Sequence, residues 1–192
     1  MKRNLDDQAK IFSLSYNKKD TSIFRISITF INNIEEKYLN QRTGNYKFLE
    51  EHQIFDLGNL HLEVIKIPGH THGSVALYIK EQKIMLVSDG ACPYVWLFLK
   101  ESSPLSVYLK SLENLLEYDF DKFLLGHGAG LMDRSFLYRL LDITKQVLNK
   151  ENTDQYVPFS SPGFENPGTV SSCEGRPYEA GKCGIIFNLN NL

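Results

Sequence analysis

Two histidines and an aspartate stand where apolar runs end. Leu62 to Ile67 stops at Pro68-Gly69 and is followed by His70. Ile84 to Val87 stops at Ser88 and is followed by Asp89-Gly90, and Phe123-Leu124-Leu125 stops at Gly126 and is followed by His127-Gly128. Short apolar runs bounded by Gly, Pro and Ser read as strands, so three strand ends present two imidazoles and a carboxylate. Neutral imidazole ligates zinc or iron and a carboxylate oxygen can bridge two cations, which gives the trio the composition of a metal site. Such a site suits hydrolysis, because a bound cation brings the pKa of its water towards neutrality. The adjacent glycines fit: Gly69 and Gly126 allow sharp turns, while Gly73, Gly90 and Gly128 let backbone pass close to a bound group. Plainer readings exist for each residue. Asp89-Gly90 between apolar runs is also a hairpin signal, His127 between two glycines could merely close a strand, and His70 alone could be structural.

The elements that must position these residues can be followed along the chain. Ala9 to Leu14 reads as a short strand and Asn17 to Asp20 as a turn. Phe24, Ile26, Ile28 and Phe30 alternate as in a strand, while Ile23, Ile26, Phe30 and Ile34 keep a helical spacing; the expectation is a helix over residues 22–39. Asp56-Leu57-Gly58 marks a turn before the strand that leads to His70. Ser103 and Pro104 announce a helix as N-cap and first helical residue, with Leu105, Tyr108, Leu109, Leu112, Leu115 and Leu116 on one face. A second helix is expected from an Asp133 cap to Asn149, burying Phe136, Leu137, Leu140, Leu141 and Val147. Residues 151–183 are rich in Pro, Gly, Ser and Asn and predict an irregular surface segment. Gly184 to Leu189 then reads as a closing strand.

Composition narrows the function classes. The 192 residues suffice for one sizeable core, so residues 1–192 are taken as a single domain of α/β (α+β) class. A formal charge of -2 provides no basic excess, which argues against nucleic acid or an anionic membrane as partner and favours a small-molecule substrate. Cys92, Cys173 and Cys183 are odd in number and lack a framework spacing, pointing to a reducing cytoplasm, with a Cys173–Cys183 pair left open. No run is long enough to cross a bilayer. His52 and His61 sit in polar or alternating contexts that predict solvated side chains. His72 could ligate, support a ligand or simply occupy its turn, the last being the expectation. Cys92 could reach a metal near Asp89 but reads as a small buried residue, and Tyr94, Trp96 and Phe98 could line a pocket, enter the core or meet a partner.

Gly69-His70-Thr71-His72-Gly73-Ser74, then Ser88-Asp89-Gly90, then Gly126-His127-Gly128, each after a strand, resemble in order and spacing the C-terminal motifs of the metallo-β-lactamase superfamily. Family members usually carry Gly-His-Thr-Pro-Gly-Ser in the first motif, where His72 here replaces proline, and Gly-Asp in the second, where this chain has Ser88-Asp89. The resemblance implies an αββα sandwich. It further implies that His70 ligates a first metal, that Asp89 bridges both metals as the catalytic carboxylate, and that His127 ligates a second. The metals would be two zinc ions, with iron or manganese as alternatives, and the activity hydrolysis of an ester, thioester or lactam through a metal-bound hydroxide.

One departure weighs on that expectation. The family's His-x-His-x-Asp-His motif lies upstream of the first motif seen here, and no histidine precedes His52. His70-Thr71-His72 imitates its beginning, but Ser74 and Val75 stand where Asp and His are required. The resemblance thus covers residues 9–192 as the family's C-terminal part, a partial αββα sandwich apparently truncated at its N-terminus. Three ligands shared by two metal positions predict weak or absent metal binding, and a sheet without its partner layer predicts exposed apolar surface. Whether such a chain is an enzyme is left open. The rival expectation is a non-catalytic remnant or subunit that docks on a protein partner, or on itself, through the uncovered sheet.

Overall fold

The computed structural model describes residues 13–16, 24–27, 47–126, 130–161, 167–175, 178 and 180–192. The chain divides into two compact units, residues 1–49 with 126–130, and residues 50–125 with 131–192. In the first unit, β1 (Ser13–Tyr16) and β2 (Phe24–Ser27) pair antiparallel, with Ser13 opposite Ser27 and Tyr16 opposite Phe24. Residues 24–27 are therefore strand where a helix over 22–39 is expected, and the period-two alternation decides this stretch. The remainder of that expected helix, and residues 9–12 of the expected first strand, lie outside the described residues.

The second unit holds two sheets and two helices. Strands β3 (Ile54–Asp56), β4 (His61–Lys66), β5 (Val75–Ile79) and β6 (Ile84–Leu86) form an antiparallel run. The sheet is completed by β8 (Lys122–Leu124), parallel to β6, and β9 (Leu131–Asp133), in the order β3-β4-β5-β6-β8-β9. Between β6 and β8 the chain makes the crossover that a parallel pair requires, through β7 (Tyr94–Leu97) and helix α1 (Leu105–Glu117). After β9 come α2 (Ser135–Leu148), β10 (Val157–Pro158), β11 (Thr169–Cys173) and β12 (Gly184–Asn188), and the smaller sheet runs β10-β11-β12-β7.

One core joins these layers. Ile65, Met85 and Phe123 from the larger sheet, with Ile67 and Val87 just past the ends of β4 and β6, meet Val95, Leu97, Ile185 and Phe187 from the smaller one. The α1 stripe Leu105, Tyr108, Leu112 and Leu115 and the α2 stripe Phe136, Leu137, Leu140 and Val147 bury in the same cluster. The mixed α/β class is the one expected, and the two sheets and two helices are layers of a partial αββα sandwich. Tyr94 on β7 and Phe98 just after it turn to a second cluster with Ile186, against which Trp96 and Phe159 pack half-buried.

Three local expectations are corrected. Helix α1 begins at Leu105 with Pro104 in the cap position and no side-chain cap, because the Ser103 hydroxyl is engaged by His72. Helix α2 starts after Arg134, and Asp133 instead closes β9, with its carboxylate 2.5 Å from Lys122 Nζ. Within the stretch expected to be irregular surface, residues 169–173 form an inner strand of the smaller sheet, with Thr169, Val170 and Ser171 buried. Its hydroxyl-bearing residues look like loop in sequence. Pairing with β12 on one side and β10 on the other satisfies the backbone there, and the Ser171 hydroxyl donates to the Val157 carbonyl at 3.3 Å.

Candidate metal site

Strands β4, β6 and β8 all run the same way, since β4 and β6 each pair antiparallel with β5 and β8 is parallel to β6. Their C-terminal ends, which lead to residues 70, 89 and 127, therefore share one end of the sheet. His127 itself lies outside the described residues. Among the described residues no group of three or more His, Cys, Asp or Glu has the geometry to hold a metal ion.

The turn after β4 is compact. Its own bonds run from Ile67 N–H to the Ser74 carbonyl (2.9 Å), Gly69 N–H to the Thr71 carbonyl (3.1 Å) and Thr71 N–H to Ser74 Oγ (3.1 Å). The segment between β7 and α1 then grips it. Ser103 N–H donates to the Gly69 carbonyl (2.8 Å), His72 N–H to the Glu101 carbonyl (2.8 Å), and Ser102 Oγ to the His70 carbonyl (2.9 Å). From α1, Ser111 Oγ reaches the Pro68 carbonyl at 2.7 Å.

His70 Nδ1 lies 2.9 Å from the Trp96 carbonyl oxygen. A carbonyl can only accept, so in the neutral ring Nδ1 carries the hydrogen and Nε2 keeps its lone pair. A metal-ligating histidine takes this form, with the second nitrogen donating to a carbonyl or carboxylate. The half-buried His70 ring thus has the donor chemistry that the resemblance requires, by a route the sequence does not display. His72 occupies the same turn with its ring exposed, and its Nδ1 meets Ser103 Oγ at 2.8 Å. With Lys100, Ser106, Phe98, Leu148 and Leu192 among its neighbours, it lines an open cleft of about 860 Å³.

Asp89 sits in a single helical turn, Ser88–Ala91, immediately after β6. Ser88 enters that turn at φ 49°, in the left-handed region, which favours glycine because it lacks a Cβ. The superfamily's usual Gly-Asp has a structural reason here, and this chain departs from it at a backbone cost. Gly69 and Gly90, by contrast, adopt no positive φ. A Cβ at Gly69 would collide with the Tyr108 ring, and one at Gly90 with Ile67 Cδ1. Their role is close packing beside His70 and Asp89, where the sequence suggested a sharp turn and room for a bound group.

Cys92 is a half-buried thiol packed against the core, less enclosed than the small buried residue expected. Burial, then the nearby Asp89 charge, pushes its pKa up to about 12, and its Sγ lies 3.3 Å from the Tyr94 carbonyl, as a donor would. Cys183, also buried first of all, is likewise pushed up to about 12. All three cysteines are free thiols, so the Cys173–Cys183 bridge is not formed. His52 and His61 are exposed as expected, though each is paired: His52 with Glu63 at 2.8 Å and His61 with Glu81 at 2.6 Å. Sequence reasoning missed the Trp96 carbonyl and Ser102 beside His70, and the purely structural tie of Ser111 to Pro68. The only signal for the first two was an aromatic run closing on a Ser-Ser-Pro that reads as a helix start.

A family model described as the metallo-beta-lactamase superfamily matches residues 7–127, more than half of the chain. The chain belongs to that superfamily. A chicken (Gallus gallus) protein named acyl-coenzyme A thioesterase MBLAC2 is 31% identical over 98 residues, covering 49% of this chain and 35% of its own length. The chain thus spans about a third of that curated relative. Among solved structures, a metallo-beta-lactamase family protein from Thermus thermophilus is similar over 53% of this chain and 36% of its own, at 23% identity and a TM-score of 0.46. A metallo-beta-lactamase from Pontibacter korlensis is similar over 57% and 52%, at 20% identity and a TM-score of 0.46. No described helix is long and apolar enough to cross a membrane.

Proposed function

We propose that this chain carries part of the metal site of a hydrolase acting on a small-molecule ester, thioester or lactam, with His70, Asp89 and His127 as metal-ligating residues and Asp89 as the bridging, catalytic carboxylate. The observation that carries the reading is the His70 ring, held by the Trp96 carbonyl as the tautomer whose Nε2 is open to a cation, at the sheet end where Asp89 also emerges. Zinc, with iron or manganese as alternatives, would supply Lewis acidity and a water that ionises near neutral pH. This chain's own part is to hold the imidazole and the carboxylate in two rigid turns and to keep the Cys92 thiol neutral beside them. Among the three substrate classes the thioester is favoured, because the chicken relative is named an acyl-coenzyme A thioesterase. The formal charge of -2 and the three free thiols support a cytoplasmic setting without nucleic-acid or membrane partners.

A second reading, a non-catalytic subunit docked on a protein partner or on itself, is favoured by one observation. Ile54, Phe55 and Leu57 on and beside the edge strand β3 are 60%, 37% and 63% exposed, and an apolar edge strand invites pairing. Metal content and turnover of the purified protein separate the two. Bound zinc, iron or manganese together with hydrolysis of a simple acyl thioester, both lost in His70→Ala, supports the hydrolase. Metal-free, inactive protein that self-associates with rising concentration overturns it and leaves the subunit.

A further inference from the structure

We infer that Ser102 is a positioning residue that sets the tautomer of His70. The inference rests on the metal reading above for its consequence, though not for its geometry. Ser102 is 9% exposed, and its hydroxyl is used twice: it accepts the Leu99 N–H at 3.1 Å and donates to the His70 carbonyl at 2.9 Å. Leu99 lies three residues after Trp96, whose carbonyl takes the His70 Nδ1–H. The hydroxyl therefore closes a ring of hydrogen bonds from the end of β7, through Ser102, to the backbone and then the imidazole of residue 70. Without it the His70 carbonyl and the Leu99 N–H lose their partner in this ring, a deficit that buried polar groups relieve by moving. The imidazole follows, because its ring nitrogen meets Trp96 at an ordinary hydrogen-bond distance that tolerates little displacement.

Ser111 supplies the internal comparison. Its hydroxyl, on a residue 5% exposed, ties the same turn at the Pro68 carbonyl, so its loss costs a similar buried hydrogen bond without touching the ring that includes His70. The test is nitrogen-15 NMR of the His70 imidazole in metal-free protein, paired with calorimetric titration of cobalt(II) alone. Wild type is expected to show the Nδ1–H form; an Nε2–H ring in wild type overturns the inference without any variant. Ser102→Ala is expected to populate both tautomers and to weaken cobalt binding about 10- to 100-fold, the range for losing an outer-shell partner. Ser102→Thr, which keeps the hydroxyl, is expected to restore the wild-type tautomer, and Ser111→Ala to lower thermal stability while leaving tautomer and cobalt affinity unchanged. An unmoved tautomer in Ser102→Ala, or an equal shift in Ser111→Ala, overturns the positioning role. If Ser102→Ala shifts the tautomer but His70→Ala leaves cobalt binding intact, the clamp stands and the metal reading falls.

Discussion

The turns that carry His70 and Asp89 leave the same end of one sheet, and their backbones are restrained differently. Around His70 the restraint is polar: the turn from Pro68 to Ser74 is stitched to the segment 96–111 through side-chain hydroxyls, an imidazole and backbone. Around Asp89 the turn's backbone is also restrained by close packing. The Ser88–Ala91 turn has its own Gly90 N–H to Val87 carbonyl bond (3.0 Å), while Gly90 is pressed on Ile67 and Ser88 is kept left-handed. A polar clamp fixes which atom of a ring is presented. A packed turn fixes where a carboxylate stands.

Substitutions at the two glycines should break this comparison most sharply. In Gly69→Ala the new methyl meets an aromatic ring that is 1% exposed and cannot turn away, so a loss of about 3 kcal/mol is expected in urea unfolding, the upper end of overpacking costs. Gly90→Ala meets only the terminal methyl of Ile67, and about 1 kcal/mol is expected. Ile67→Val in that background should recover most of it, visible as coupling in a double-mutant cycle. Equal costs at the two positions would deny that the turns differ in their walls.

A smaller change of opposite sign is expected at Ser88. Glycine removes a left-handed penalty of about 1–2 kcal/mol and adds about 0.5–1 kcal/mol of chain entropy, so Ser88→Gly should raise stability by about 0.5–1 kcal/mol. A decrease would show that the serine side chain is needed in the turn. The smallest effect is far from the site. His61 is held charged above its ordinary 6.5 by its hydrogen bond to Glu81, and Glu81 is held ionised below its ordinary 4.5 by the same bond. The histidine's contribution is complete below 6.5 and fades as pH rises through its raised pKa; the glutamate's is complete above 4.5 and fades as pH falls through its lowered pKa. Thermal melts of His61→Ala against wild type should therefore differ most between about pH 4.5 and 6.5, and converge at alkaline pH.

How much of this was legible in the residues varies by element. The strands before His70 and Asp89 and the closing strand were readable as short apolar runs bounded by Gly, Pro, Ser or polar residues, and the α1 stripe because its burial follows the helical period. Ser103 was misread as a helix cap because the same hydroxyl suits a cap and a tertiary partner, and only the fold brings His72 to it. Asp133 was misread for a similar reason, Lys122 being supplied by a neighbouring strand. Strand β11 escaped because hydroxyl-rich sequence signals loop unless both edges are already paired. At the site, residue types at 70 and 89 were visible, whereas the tautomer of one and the strained approach to the other depend on carbonyls and dihedrals that no side-chain pattern encodes.

The grip on His70 by Trp96 has one more consequence. The contact is made by the main chain, so any residue at position 96 can supply it, while the indole N–H goes to Tyr178 Oη at 3.1 Å and the ring packs beside Phe98 and Phe159. Position 96 can therefore drift over evolutionary time with its aromatic neighbours without disturbing the imidazole. A family comparison that scores side chains will overlook the partner of its own histidine.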